Sequence, residues 1–164
     1  MCGDIRFPYA VIKIINLTNR NSCIIFVSTN RNYKQKHINT MATKFYICRH
    51  CGNVIEKVVD SGVPVVCCGE KMEELIPNTV DASGEKHVPV VSWIDDRTIK
   101  VEVGSVAHPM LEEHHIAFIY VETERGGIRV NLTDKPEAVI ALGDEKPTAV
   151  YEYCNLHGLW KSEL

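Results

Sequence analysis

The chain has no apolar run near the ~20 residues that a membrane-spanning helix needs, so none is expected. No secretory leader is expected either, since a basic start, an apolar core and a small-residue cleavage site do not occur together in its first residues. Glycine (10) and proline (7) stand at ordinary levels in 164 residues, which excludes a low-complexity chain. Positive charge is scarce after residue 40, where 12 Lys/Arg face 20 Asp/Glu, a formal −8. An acidic body argues against nucleic acid as a partner. It also repels anions at long range, so an anionic substrate would need local positive steering.

Residues 1–40 reverse that balance, with six Lys/Arg against the single acid Asp4. They are Asn-rich and weakly patterned, and Met41-Ala42-Thr43-Lys44 reads like a natural start. The expectation for 1–40 is an upstream translated extension or a disordered tail, in which Cys2 and Cys23 have no metal role. A hairpin of the β-rich runs 9–15 and 22–28 is the alternative.

What is present is a surplus of soft metal donors. Cys48-Arg49-His50-Cys51 is a C-x-x-C, and Cys67-Cys68 is a vicinal pair, each followed by glycine (Gly52, Gly69). Four thiolates around one metal mean tetrahedral zinc or iron, and spacing does not separate the two. Glycine there can take positive φ and let backbone N–H groups turn toward sulfur. A dithiol redox motif would call for a βαβ pattern, which is missing. A disulfide between adjacent cysteines would be strained. Residues 44–76 hold too few apolar groups to fold by burial alone, so a metal is expected to stabilise them. Within them 44–48, 53–59 and 64–67 read as strands, with a turn at Asp60-Ser61-Gly62.

A second set lies downstream: His87, His108, His114, Cys154 and His157. Imidazole with thiolate selects iron, copper, zinc or nickel over calcium or magnesium. Five donors are one too many for a closed tetrahedral site and one too few for an octahedron. If all five bind one metal, a sixth position is left for a small molecule.

Residues 77–87 read as a linker, because Asn78, Asp81, Ser83 and Gly84 break any apolar period. From residue 88 on, short β-patterned runs recur at 98–103, 116–122, 128–132, 138–142 and 148–153. Asp95-Asp96 and Gly126-Gly127 are the turns between. Repeated strands without helical periodicity indicate an antiparallel sandwich or barrel with ligands in its loops and strand ends.

Taken together these residues resemble the desulfoferrodoxins, the two-iron class of superoxide reductases. The likeness covers residues 44–161. It rests on the C-x-x-C, Cys67-Cys68-Gly69, Asn78-Thr79-Val80-Asp81-Ala82, Glu85-Lys86-His87-Val88-Pro89, Gly104-Ser105-Val106-Ala107-His108-Pro109-Met110 and Tyr153-Cys154-Asn155-Leu156-His157-Gly158-Leu159-Trp160. It implies an all-β protein: a desulforedoxin-like metal knuckle (41–76), a linker (77–87) and an immunoglobulin-like antiparallel β-sandwich (88–164). It implies two irons per chain. One is an Fe(Cys)4 centre on Cys48, Cys51, Cys67 and Cys68, where zinc is the alternative metal. The other is an Fe(His)4(Cys) centre on His87, His108, His114, His157 and Cys154, with the thiolate axial. The six-residue step from His108 selects His114 over His115, which receives no ligand role. His37 and His50 are read as exposed histidines.

The implied activity is one-electron reduction of superoxide to hydrogen peroxide without dioxygen, a defence against oxidative stress. Lys86 would attract superoxide and orient a proton source. Glu85 would close onto the metal after turnover. Rubredoxin or a similar small carrier is the implied electron donor, the chain is expected to form a homodimer, and thiolate ligands fit a reducing cytoplasm. Two rivals remain: a rubredoxin-like electron carrier, which leaves the set of four histidines and Cys154 unexplained, and a structural zinc protein, which predicts no colour and no redox response.

Overall fold

The computed structural model describes residues 43–80 and 84–164 and, within the first 42, the backbone of three strands. The chain divides into two compact units, Met1–Met41 and Ala42–Leu164. In the first, β1 (Ile5–Phe7), β2 (Ala10–Asn16) and β3 (Cys23–Thr29) make an antiparallel sheet in that order. β2 and β3 pair from Ala10↔Thr29 to Asn16↔Cys23, over the two runs read above as a hairpin. The other expectations for residues 1–40, Cys2 and His37 among them, lie outside the described residues.

The described residues of the second unit are all-β apart from one helical turn. Its small cysteine-bearing part holds β4 (Phe45–Ile47), β5 (Val54–Glu56), β6 (Val66–Cys67), β7 (Glu70–Lys71) and β8 (Glu73–Leu75). Strands β5-β4-β8 form one sheet, and β6-β7 a two-residue ribbon beside it. The helical turn α1 (Gly84–His87) lies in the stretch read as a linker. Seven strands follow: β9 (Pro89–Asp95), β10 (Thr98–Val103), β11 (Ile116–Thr123), β12 (Gly126–Asn131), β13 (Glu137–Ala141), β14 (Pro147–Cys154) and β15 (Gly158–Glu163). They divide into sheets ordered β13-β10-β9 and β12-β11-β14-β15. Three strands against four, all antiparallel, is the strand count of a constant-type immunoglobulin sandwich.

Alternation explains the inner core. Along β10, Ile99, Val101 and Val103 point inward and meet Ile116, Ile119, Val121 and Val150 of the opposite sheet. β14 has no exposed face. Val150 and Cys154 join the inner core, while Ala149, Tyr151 and Tyr153 join a second core on the outside of the same sheet. The small part fills that outer face with Phe45, Ile47 and Leu75. The Phe45 ring lies 5.2–5.8 Å from the rings of Phe118, Tyr120 and Tyr151. Polar groups close the seam. Thr43 donates its amide and hydroxyl to Glu122 Oε1, Tyr151 donates its hydroxyl to Glu122 Oε2, and Tyr120 donates to Glu56 Oε1. The knuckle and the sandwich therefore share a core.

Gly126 and Gly127 are not the turn expected of them. The turn is Glu124-Arg125, and both glycines are already paired in β12. Gly127 is needed because a Cβ there would run into the Tyr120 phenol. Among the described residues no helix is long and apolar enough to cross a membrane.

Candidate metal centres

The donors predicted from sequence converge into two groups. The four sulfurs of Cys48, Cys51, Cys67 and Cys68 lie within 4.8 Å of one another. Cys51 and Cys67 sulfurs are 3.7 Å apart, and Cys67 and Cys68 are 3.9 Å apart. A tetrahedron with metal–sulfur bonds of ~2.3 Å has edges of ~3.8 Å, so these spacings fit one shared cation. All four are free thiols, which removes the disulfide alternative. Cys48 and Cys51 flank a tight turn, closed where Gly52 (φ 77°) donates its amide to the Cys48 carbonyl at 2.8 Å. Cys68 (φ 52°) and Gly69 (φ 83°) make a left-handed corner that turns both vicinal sulfurs the same way. The amide of Cys51, helped by that of His50, holds the Cys48 thiol down to about 6. Hydrogen bonding with Cys51 and the other thiols pushes Cys68 up to about 12. Four ionised sulfurs do not coexist here without a positive charge among them.

The second group sits at one end of the sandwich. Cys154 is the last residue of β14, its sulfur fully buried in the inner core. His157 lies in the turn into β15, His87 ends α1, and His108 and His114 lie on the loop between β10 and β11. Their donor atoms also fall within 4.8 Å of one another. The four imidazoles form a closed ring of near-perpendicular neighbours. Centroids are 4.9 Å for His87–His108, 4.5 Å for His108–His114, 4.9 Å for His114–His157 and 4.7 Å for His157–His87, with interplanar angles of 70–81°. Nitrogens face inward: His87 Nε2 lies 3.0 Å from His157 Nδ1, and the Cys154 sulfur lies 3.6 Å from His108 Nε2 and 3.5 Å from His157 Nδ1.

This arrangement fits a cation. His108 Nδ1 is 2.6 Å from the Pro109 carbonyl, which fixes that nitrogen as the donor and leaves Nε2 as a lone pair aimed inward. Burial holds His108 neutral, down to about 4, and lowers His114 as well. His114 Nε2 is buried with no hydrogen-bond partner. Burial pushes the Cys154 thiol up, against the amides of His157 and Leu156, which favour its thiolate. Two imidazoles held neutral by burial, an orphaned nitrogen and a buried sulfur together lack the positive charge that a bound metal would bring.

Supporting residues are less visible in the sequence. Trp160 stacks on His87 (4.9 Å, 18°) and donates its indole N–H to the His157 carbonyl at 3.2 Å. His115 stands apart from the group, with Nδ1 against the carbonyls of Leu111 and Glu112. His50 is exposed. Glu85 and Lys86 are exposed on α1, and the Lys86 charge reaches His114, contributing to its lowered pKa after burial and the His157 and His115 rings. The Glu85 carbonyl accepts from the Val106 amide at 3.1 Å and the Ser105 hydroxyl at 3.3 Å. Glu152, fully buried without a hydrogen-bond partner, was not singled out from the sequence; burial raises its carboxyl to about 9, so it is neutral at pH 7.

Comparison with known proteins bears directly on these centres. The profile of the family Desulfoferrodoxin matches residues 79–163. A desulfoferrodoxin of Syntrophotalea carbinolica is 49% identical over 120 residues, covering 72% of this chain and 94% of that protein. A superoxide reductase of Pyrococcus horikoshii is 38% identical over 103 residues, covering 51% and 90%. Among solved structures, the superoxide reductase from Treponema pallidum superposes with a TM-score of 0.62 at 36% identity, covering 74% of this chain and 98% of that one.

Proposed function

The chain belongs to the desulfoferrodoxin family, and from that premise we propose that it is a superoxide reductase. The reaction adds one electron and two protons to superoxide and yields hydrogen peroxide, with no dioxygen formed. The observation that carries this reading is the ring of four inward-facing imidazoles closed around the buried Cys154 sulfur. His87, His108, His114, His157 and Cys154 are assigned as ligands of one iron, and Cys48, Cys51, Cys67 and Cys68 as ligands of a second, where zinc is the alternative. Iron held by the four histidines and Cys154 would supply the electron and a coordination position open to superoxide.

The protein's own groups do the rest. The amides of Leu156 and His157 favour the thiolate form of Cys154. Lys86 provides the local positive charge that an acidic body requires if it is to collect an anion. Its ammonium can also hold the water that delivers a proton. Glu85, on the same turn, is assigned as the carboxylate that closes the site after turnover and withdraws on reduction. A rubredoxin or similar small carrier is proposed as electron donor and the cytoplasm as location. A homodimer is supported by the apolar surface of the small part, where Val58 and Val59 are 82% and 79% exposed and Val63 and Val66 are exposed beside them.

Metal analysis with visible spectra and a superoxide pulse tests the reading. About two irons per chain are expected, with a thiolate-to-iron band from each centre and a response of one band to superoxide. Zinc in both sites with no spectral response would overturn it. Lys86→Ala should slow superoxide capture about tenfold at low ionic strength and flatten its salt dependence. Stopped-flow traces that match wild type across a salt series would remove Lys86 from its role.

A further inference from the structure

Asn155 stands between two ligands, Cys154 and His157, yet its side chain faces neither. Its Nδ2 donates to the Glu113 carbonyl at 3.0 Å, and its Oδ1 accepts the His115 amide at 2.9 Å. Its own amide donates to the His115 carbonyl at 3.1 Å. The Glu113 carbonyl and the His115 N–H belong to the two peptide groups on either side of the His114 Cα. One carboxamide therefore grips both peptides that set the φ and ψ of His114. A second device acts on the same loop, where Leu111 and His114 exchange amide-to-carbonyl hydrogen bonds at 2.9 and 3.1 Å.

The chemistry of the side chain matters. Gripping a carbonyl and an N–H at once takes one donor and one acceptor on a short, planar group. Asparagine has both, whereas aspartate at neutral pH only accepts. Asn155 is exposed, so it gains little from burial, and its value lies in what it joins. It ties the His114 loop to the segment that carries Cys154 and His157, where the β11–β14 ladder has already reached its last pair, Ile116↔Cys154. The His114 Nε2 is the donor with no hydrogen bond of its own inside the site, so its backbone is what aims it.

We propose that Asn155 is a positioning residue that fixes the His114 imidazole relative to the Cys154 sulfur by clamping both peptide groups that flank His114. This rests on reading the five donors as one metal centre. It predicts that the clamp controls ligand geometry and metal retention rather than folding.

The test uses the iron-loaded full-length protein and two variants. Asn155→Ala removes both side-chain hydrogen bonds. Asn155→Asp keeps the acceptor for the His115 amide and loses the donor to Glu113. Two quantities are read: the position of the Cys154 thiolate-to-iron band, and the rate at which a chelator in excess strips iron from the site that holds Cys154. The expected result is a displaced band and iron release about tenfold faster in the alanine variant, the lower end of what lost support around a metal ligand costs, with the aspartate variant between it and wild type. Val139→Ala, a change at an exposed side chain on β13, should leave the band in place. Wild-type band and release rate in both Asn155 variants would overturn the proposal. A wild-type chain that takes up no metal on the five donors would overturn the underlying reading instead. Should the alanine variant not fold, the aspartate variant alone decides between the two results.

Discussion

Cys154→Ser should sharply slow superoxide reduction while leaving the sandwich folded. The two side chains differ by one atom, and the Leu156 and His157 amides that favour the Cys154 thiolate can donate to a serine oxygen instead. Burying a hydroxyl that is partly satisfied costs about 1–3 kcal/mol, well within what a core of this kind tolerates. The chemical loss is larger. A hydroxyl does not ionise at the pH at which a metal-bound thiol does, so the one anionic donor among the five disappears. Imidazole nitrogens offer a lone pair but no negative charge to take its place. Turnover should fall on the order of 10²–10³, as when a single preorganised charge-stabilising group is deleted. Visible spectra supply the internal control: the band from the histidine-rich site should vanish, while that of the four-cysteine site persists. A serine variant that reduces superoxide at the wild-type rate would show that the thiolate is dispensable and that the donor ring alone does the work.

Both donor sets could be read before any coordinates, because metal ligands must be of a few residue types and their spacing survives in the linear order. His114 against His115 is the clearest instance. The resemblance selected the first, and the fold sends the second to the Leu111 and Glu112 carbonyls. Strands that alternate were legible too: β10 was placed residue for residue because one face of it is buried and the other is wet. Strands that do not alternate were harder. β14 is buried on both faces, and the pattern that marks a half-buried strand is lost there. Its second face is covered by Phe45, Ile47 and Leu75, a long-range packing that no local window contains. β9 and β15 were not delimited at all. β9 is largely exposed, and β15 is mixed in burial without strict alternation. The supports of the site were visible as residues but not as roles. Gly104, Asn155 and Trp160 stand in the motifs that carry the resemblance, but a close backbone approach, a pair of side-chain-to-backbone hydrogen bonds and a stacked ring leave no residue-type signature.

Gly104 carries the second large expectation. It takes φ +76°, and its amide donates to the Val88 carbonyl at 3.2 Å. A Cβ at this position would lie 2.6 Å from the Lys86 carbonyl carbon and 2.7 Å from both the Glu85 oxygen and the Lys86 Cα. All three are backbone atoms, so no rotamer change relieves the overlap. Gly104→Ala must therefore push α1 away, and Glu85, Lys86 and His87, the three residues proposed to act at the site, travel with it. The hydrogen bonds from Val106 and Ser105 to the Glu85 carbonyl resist that movement, so the strain is shared between the turn and the loop that carries His108. Stability should fall by about 2–3 kcal/mol, from the left-handed backbone and the overlap together. Capture of superoxide should slow by up to about a hundredfold, the scale of a displacement of ~1 Å at a reacting centre. That exceeds the effect of Lys86→Ala, which removes a charge but leaves His87 where it is. Ser105→Ala, which deletes only the 3.3 Å hydrogen bond, should cost under ~1 kcal/mol and little rate. Stopped-flow rates and thermal unfolding on the three variants separate these contributions. If Gly104→Ala were no slower than Lys86→Ala, the turn would be yielding without moving its ligand, and α1 would owe its position to the His87–Trp160 stack instead.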